Sequence, residues 1–253
     1  MISNTRLSSL LLAGVMVLSL SAFADNSASR YDAQIATKVT KQLSGDRKFS
    51  GVQTGVEDGI VTLRGAVPTY QDKLNAAKKI RKDEHVSGIR NLLQVSSTAT
   101  DAQLQKAIGK RLSFNPSVND NVFDAVTLGV NNGVVTIGGE VRIPSDRDYA
   151  LSAVANTPGV KDVIDQIRVS PPSIMDDQLR VRLYRAIYGD PVLTKYAINP
   201  DKPIRIVVDN GHVALYGVVD SRMDKQVAGM RANQVFGAFS VTNNLQVPDR
   251  KSS

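Results

Sequence analysis

The chain has 253 residues, a length that fits one or two domains. It contains no cysteine and only two histidines, which excludes a disulfide framework, a thiol nucleophile, a cysteine-ligated metal site and a lipidated N-terminal cysteine. Lys and Arg number 31 against 24 Asp and Glu, so the formal net charge is +7. This modest excess favours anionic partners only weakly.

The first 24 residues have the pattern of a secretory signal peptide. Arg6 is their single charge, an apolar run covers residues 7–20, and Ala22 to Ala24 form a small-x-small cleavage pattern. The apolar run is shorter than the ~20 residues that a membrane-spanning helix needs. We therefore expect cleavage after Ala24, export to the periplasm, and only peripheral contact between the mature chain and a membrane.

Three segments of the chain repeat one pattern, at Asp58–Gly65, Asn132–Gly139 and Asn210–Gly217. Each has Asp or Asn, then Gly, then an alternating apolar strand, and a second Gly six residues after the first. The register between the copies continues without a gap from seven residues before the first Gly to 36 residues after it. A repeat of this length indicates three copies of one structural unit.

The paired glycines of each copy have two predicted roles. The first follows Asp or Asn and predicts a tight hairpin turn, because Gly tolerates positive φ. The second lies on the inward side of a strand, where the missing side chain would let a helix approach the sheet. We assign these turn and packing roles to Gly59, Gly65, Gly133, Gly139, Gly211 and Gly217.

A helical pattern precedes each hairpin and opens at Asp32, Asp101 and Asp176. Its apolar residues are spaced by four and eight, which places each set on one helix face. These sets are Ile35, Val39 and Leu43; Leu104, Ile108 and Leu112; and Leu179, Leu183 and Ile187. Because Asp accepts hydrogen bonds from free backbone N–H groups, we expect the three Asp residues to be N-caps.

Each unit is therefore predicted to form a helix, two strands, a second helix and a third strand, in that order. Second helices are predicted near residues 70–82, 145–156 and 222–234, with a third strand parallel to the second. The predicted fold class is α+β, in two layers. It consists of three tandem αββαβ units, each a three-stranded mixed sheet with two helices on one face. The predicted domain bounds are 32–96, 101–170 and 176–248, behind a signal peptide at 1–24.

The units resemble BON domains, a family named for bacterial outer-membrane and osmotically induced proteins. The resemblance rests on the glycine-containing strand and on a closing G-V-x-x-V-x-N-x-L-x-V run at 85–95, 159–169 and 237–247. His85 replaces the usual Gly in the first run, and Asp165 replaces Asn in the second. The resemblance implies the αββαβ fold, envelope maintenance under osmotic or related stress, binding to phospholipid or envelope proteins, and no catalytic residues.

The sequence contains no motif that predicts catalysis, a metal site or a cofactor site. His85 and His212 occupy unlike positions in the repeat and are expected to face solvent. The repeated Asp residues are better explained as caps than as a catalytic carboxylate pair. We expect a protein that is not an enzyme, holds no metal or cofactor, and does not bind nucleic acid, given its predicted export and modest charge.

Positive charge is concentrated in the first and third units, and the second helix of the first unit carries a cluster of lysines. The candidate residues for contact with phospholipid headgroups or another partner are Lys73, Lys78, Lys79 and Lys82. Anionic membrane surfaces attract clustered lysines, although a solvated helix face explains the same pattern. A third interpretation is a periplasmic chaperone for exported polypeptides, because each sheet has two edges that could pair with an extended chain.

Overall fold

The computed structural model describes residues 29–113, 122–199 and 203–248. The predicted signal peptide lies outside the described residues. The elements of the first unit are a 3-10 turn at Ser29–Tyr31, α1 at Asp32–Ser44, a 3-10 turn at Arg47–Phe49, β1 at Val52–Glu57, β2 at Ile60–Val67, α2 at Tyr70–Ile80, β3 at Gly88–Asn91 and β4 at Gln94–Val95.

The second and third units repeat this order. The second has α3 at Asp101–Ser113, β5 at Ala125–Asn131, β6 at Val134–Val141, α4 at Pro144–Ala155 and β7 at Asp162–Val169. The third has α5 at Ile174–Tyr188, α6 at Lys195–Ile198, β8 at Arg205–Asp209, β9 at His212–Tyr216, α7 at Arg222–Asn233 and β10 at Ser240–Asn243. The second helices end within two residues of their predicted bounds.

Each unit forms one mixed sheet around a central strand. In the first, β2 pairs antiparallel with β1 and parallel with β3 and β4. In the second, β6 pairs antiparallel with β5 and parallel with β7. In the third, β9 pairs antiparallel with β8 and parallel with β10. The predicted α+β class, with three αββαβ units and a parallel third strand, is confirmed.

Three separate hydrophobic cores follow from the three sheets. The apolar positions predicted for the first helices are buried in them, except Leu112, which is partly buried. The long segment between α5 and β8 adds Leu193 and Tyr196 to the third core. Asp190 in this loop binds Arg231 of α7, with 2.6 Å between Oδ2 and Nε, and this ion pair ties the loop to its unit.

The repeated Asp residues are not N-caps, and that expectation is wrong. Each lies inside its helix, and its carboxylate accepts hydrogen bonds from the two backbone N–H groups of the Asx-Gly hairpin turn. Asp32 binds the N–H groups of residues 58 and 59 at 2.9 and 2.8 Å. Asp101 binds those of 132 and 133 at 2.8 Å each, and Asp176 those of 210 and 211 at 3.0 and 2.9 Å.

The turns that these carboxylates bind have backbone conformations that require small or flexible residues. Asp58, Asn132 and Asn210 have φ values of 49° to 52°, and the glycines that follow have φ values of 73° to 79°. Positive φ at both central residues is typical of a type I′ hairpin turn. The turn presents both N–H groups to the helix, so one carboxylate satisfies them together.

The second glycine of each copy makes room for backbone, not for a helix as we expected. Gly65, Gly139 and Gly217 also have positive φ, between 102° and 129°. A Cβ atom at these positions would overlap the carbonyl oxygens of Gly51, Ala125 and Pro203, which precede or begin the neighbouring strand. The reason for the glycine is thus its positive φ together with the close approach of the neighbouring backbone.

The second and third units are joined at the edges of their sheets. The carbonyl of Val122 accepts a hydrogen bond from the N–H of Ile206 at 2.7 Å, and that of Asp124 accepts one from the Arg205 guanidinium at 3.0 Å. The Phe123 ring lies 6.4 Å from Tyr184 in an edge-on arrangement. These contacts occupy part of the outer edge of β8.

Adjacent glycines in β6 allow a test of the role assigned to Gly139. We expect Gly139→Ala to lower the free energy of unfolding by about 1–3 kcal/mol or more, because positive φ strains a side chain and Cβ would overlap Ala125. Gly138→Ala is the matched control, since its Cβ would meet nothing closer than 3.3 Å. Urea denaturation followed by circular dichroism measures both. Equal effects would contradict the assignment.

The Asp contact with the hairpin can be tested in the third unit. Asp176 is 4% exposed, and we expect Asp176→Asn to cost about 1–3 kcal/mol because one buried N–H loses its acceptor. Asp32→Asn should cost less, since Asp32 is only partly buried. Glu84→Gln is the control at an exposed carboxylate. Thermal denaturation compares the three variants, and no difference between them would contradict the role given to Asp176.

Candidate anion-binding cleft

A small cleft in the first unit lies between the 3-10 turn that follows α1 and the exposed face of α2. Its volume is about 180 Å³. The lining residues are Asp46, Lys48, Phe49, Asp72, Asn75, Lys78, Lys79 and Lys82. Four of these eight residues are lysines, so the cleft gathers much of the positive charge of the unit.

Core packing determines which side chains face the cleft. Phe49 is buried in the first core and holds the 3-10 turn against the sheet. Ala76 and Ile80 bury the opposite face of α2. Since the helix has 3.6 residues per turn, Lys78 and Lys79 must then point outward, and Lys82 follows just beyond the end of the helix.

Two of the lysines have carboxylate partners inside the cleft. Lys48 Nζ lies 3.3 Å from Asp72, and Lys79 Nζ lies 3.8 Å from Asp46. Lys79 also lies 5.0 Å from the centre of the Phe49 ring, in a cation–π contact. Lys78 and Lys82 are exposed and form no ion pair with a described residue. The cleft therefore has two positive charges more than it has negative ones.

The structure brings three of the four predicted lysines together. Lys73 does not line the cleft; it is half-buried, and its backbone carbonyl accepts a hydrogen bond from the Asn91 side chain at 2.8 Å. Lys48 does line the cleft and was missed. It lies in a turn outside the helical pattern, and its proximity to α2 depends on how Phe49 packs.

Lys38 is a further cation of the first unit, but it is already paired. Its Nζ lies 2.8 Å from the buried carboxylate of Asp83. The hydrogen bond from Lys38 and one from the backbone N–H of His85 lower the pKa of Asp83, and the same pair raises the pKa of Lys38. This ion pair neutralises the charge of Lys38 within the first unit.

The two histidines lie in different units and have different surroundings. His85 is partly buried, stacks at 4.4 Å on Tyr31 and lies 3.5 Å from Asp83. His212 is exposed and contacts Ser240 Oγ at 2.8 Å. Within 29–113, 122–199 and 203–248, no cluster of three or more His, Cys, Asp or Glu residues could hold a metal ion.

The comparison with protein families gives one match that repeats along the chain. The family model described as BON domain matches residues 31–97, 100–171 and 176–249. The three matches follow the three αββαβ units. None of the described helices is long and apolar enough to cross a membrane.

Individual relatives are distant. An uncharacterized protein in the gshII 5′ region of Anaplasma centrale is 24% identical over 145 residues, which cover 54% of this chain and 94% of the relative. Among solved structures, CdsD, a structural protein of the type III secretion system of Chlamydia trachomatis, is 13% identical over 85% of this chain and 92% of that chain, with a TM-score of 0.24. Its C-terminal domain is 14% identical over 84% and 96%, with a TM-score of 0.25.

The lowered pKa of Asp83 predicts how the first unit responds to acid. A carboxylate with a depressed pKa stabilises the folded state above its ordinary pKa, and this stabilisation is lost as pH falls below about 4. We expect Lys38→Met to destabilise the protein at pH 6 and to do so less at pH 3, because Asp83 is then largely protonated in the unfolded state and part of the stabilisation from its lowered pKa is lost. Urea denaturation at the two pH values measures this, with Lys41→Met as control. A Lys38→Met effect independent of pH would contradict it.

Proposed function

The chain belongs to the BON-domain family, and from that premise we propose that it is a non-catalytic binding protein of the periplasm that supports envelope integrity under osmotic or related stress. In this proposal its three BON domains, at 32–96, 101–170 and 176–248, follow a cleaved signal peptide. The protein acts by non-covalent contact with anionic phospholipid headgroups. The single observation that carries the proposal is the lysine-lined cleft of the first unit.

The charges of the cleft support a phosphate-bearing partner. Lys48 and Lys79 are held in position by Asp72 and Asp46, while Lys78 and Lys82 are exposed at its rim. Each lysine near an anionic membrane surface contributes about 1 kcal/mol of attraction. A cleft of this size admits one headgroup, and the exposed rim can contact neighbouring lipids.

The position of the lysines also supports peripheral binding. They lie on the outer face of α2, on the opposite side from Ala76 and Ile80 of the core. Contact with a membrane therefore requires no unfolding and no inserted segment. Lys73, which lies away from the cleft, has a lesser part in this proposal.

The chaperone alternative loses one of its candidate surfaces. It depends on open sheet edges that could pair with an extended polypeptide. At β8 of the third unit, Ile206 and Arg205 already bind the carbonyls of Val122 and Asp124. The chaperone remains the alternative outcome of the flotation experiment.

Liposome flotation tests the proposal on the mature full-length chain. We expect binding to vesicles with anionic phospholipid, little binding to zwitterionic vesicles, and weaker binding as salt rises from 50 to 300 mM. Lys78→Glu together with Lys82→Glu should weaken binding at least about tenfold, because two attractive charges become repulsive. Lys73→Glu alone should have a smaller effect.

The matched control reverses two charges elsewhere, with Lys106→Glu and Arg222→Glu. Both residues are exposed and lie on other units, so the net charge changes equally while the cleft is intact. Equal loss of binding in the control would show an effect of net charge only. Absence of flotation, together with suppressed aggregation of an unfolded exported protein, would overturn the lipid proposal in favour of the chaperone.

A further inference from the structure

A second groove lies in the third unit, between the start of α5, the β8–β9 turn and the loop from α7 to β10. Its volume is about 550 Å³, within the usual range of ligand pockets. Its apolar lining comes from Met175, Leu179, Phe236 and Phe239. Phe236 is 91% exposed, Phe239 79% and Met175 71%. Three large apolar side chains are thus exposed around one groove.

The fold does not require these aromatic residues. In the gapless register of the repeat, Phe236 corresponds to Glu84 and Pro158, and Phe239 corresponds to Ser87 and Lys161. The first two units form the same turn and the same loop with these other residues. Phe236 and Phe239 are therefore particular to the third unit. Their exposed rings remain in contact with water, so they do not contribute the free energy of apolar burial to folding.

The groove also contains a cation whose counterpart in the first unit has an internal carboxylate partner. Arg182 lines it and occupies the helix position that Lys38 has in the first unit. Lys38 pairs with Asp83 at 2.8 Å, whereas the position of Asp83 is taken by Val235 in the third unit.

The hydrogen bonds around Arg182 leave its guanidinium without an acceptor in the described part of the chain. Its Nε atom is buried and has no hydrogen-bond partner, and the residue forms no ion pair with any part of the chain that the structure describes. Asp176 also lines the groove, but both of its oxygens bind the N–H groups of residues 210 and 211. A guanidinium with unused donors points to an external acceptor.

The loop from α7 to β10 passes close to the guanidinium that lines the groove. Gly237 has a φ of 96°, and a Cβ atom there would lie 3.1 Å from Arg182 Nη2. The absence of a side chain lets the loop pass directly over the guanidinium. Phe236 and Phe239, on either side of this glycine, add apolar surface to the same groove. The groove therefore offers one cationic end and one apolar surface.

We propose that this groove binds a single-chain alkyl carboxylate, with the carboxylate on Arg182 and the alkyl chain against Met175, Phe236 and Phe239. The negative charge of the carboxylate complements the Arg182 guanidinium, because the third unit has no carboxylate at the position of Asp83. An arginine donates two parallel hydrogen bonds to a carboxylate, and each methylene group buried on phenyl and thioether surface adds affinity. This site is independent of the lysine cleft in the first unit.

Isothermal titration of the mature full-length protein with monomeric dodecanoate, below its micellar concentration, tests the proposal. We expect saturable binding of one dodecanoate, with decanoate weaker by up to about tenfold because two methylene groups are lost. Dodecanol, which lacks the charge, should bind at least about tenfold more weakly than dodecanoate.

Three variants assign the binding to the groove. Arg182→Gln should weaken dodecanoate binding about tenfold or more, and Phe239→Ser, which introduces the residue of the first unit, should weaken it as well. Val235→Asp should abolish it by supplying Arg182 with the internal carboxylate that Lys38 has. Arg185→Gln, at an exposed arginine of the same helix, is the control. Circular dichroism establishes which variants are folded. One folded groove variant is enough to decide whether dodecanoate binds in the groove.

Several outcomes would overturn the proposal. One is no binding of dodecanoate at concentrations up to about 1 mM, and another is unchanged binding in the folded groove variants. Vesicle binding that depends on Phe239, without binding of monomeric dodecanoate, would assign the rings to a membrane surface. Binding only of an uncharged apolar peptide would assign the groove to a protein partner. The lysine-cleft variants should leave dodecanoate binding unchanged, so this result and the flotation result are separable.

Discussion

The contact between one Asp carboxylate and two hairpin N–H groups is the interaction on which each unit depends. It joins the beginning of the first helix to the turn between the first two strands, elements that are 26 or more residues apart. With this contact in place, the apolar face of the helix lies on the inward side of the hairpin. The second helix and third strand then pack beside them. The same interaction occurs three times, at Asp32, Asp101 and Asp176, and it defines the end of each unit where the groove of the third unit lies.

The three copies show which features the fold requires and which it does not. Asn91 and Asn243 donate a side-chain hydrogen bond to the backbone of the second helix, at Lys73 and Lys225. Asp165 cannot donate in this way when ionised, and Arg147, at the same helix position, forms an ion pair with it instead. The connection is retained while its chemistry changes. By contrast, Phe236 and Phe239 are 91% and 79% exposed, although Phe239 meets the His212 ring edge-on at 6.3 Å. Within the described residues, Arg182 forms no ion pair that replaces the one between Lys38 and Asp83. This difference separates substitutions that the fold compensates from those that suggest a ligand.

Local patterns predicted the fold well and the sites only in part. The alternation of strands, the spacing of Ile35, Val39 and Leu43, and the Asx-Gly turns depend on residues close in sequence, so each could be interpreted alone. The roles of the repeated Asp and of Gly65 were interpreted from the nearest element, which is why a cap and a helix contact were expected. The Asp carboxylates bind N–H groups of the hairpin turn, and Gly65 lies against the carbonyl of Gly51. These contacts form only when the two strands of the hairpin have paired. Lys48 was missed for the same reason, because its turn joins the cleft through the packing of Phe49.

The sequence by itself determined the number of units, their αββαβ order, the residues of their cores and the concentration of charge in the first unit. These properties follow from periodicity and from the register of the repeats, which need no knowledge of distant contacts. Only the tertiary structure decided which charges are paired. Lys38 and Arg182 occupy the same place in the repeat, yet Lys38 pairs with Asp83, whereas the third unit has Val235 at the position of Asp83. Electrostatic and hydrogen-bonding partners lie far apart in the chain and act only at short distance, so their pairing is decided when the chain has folded.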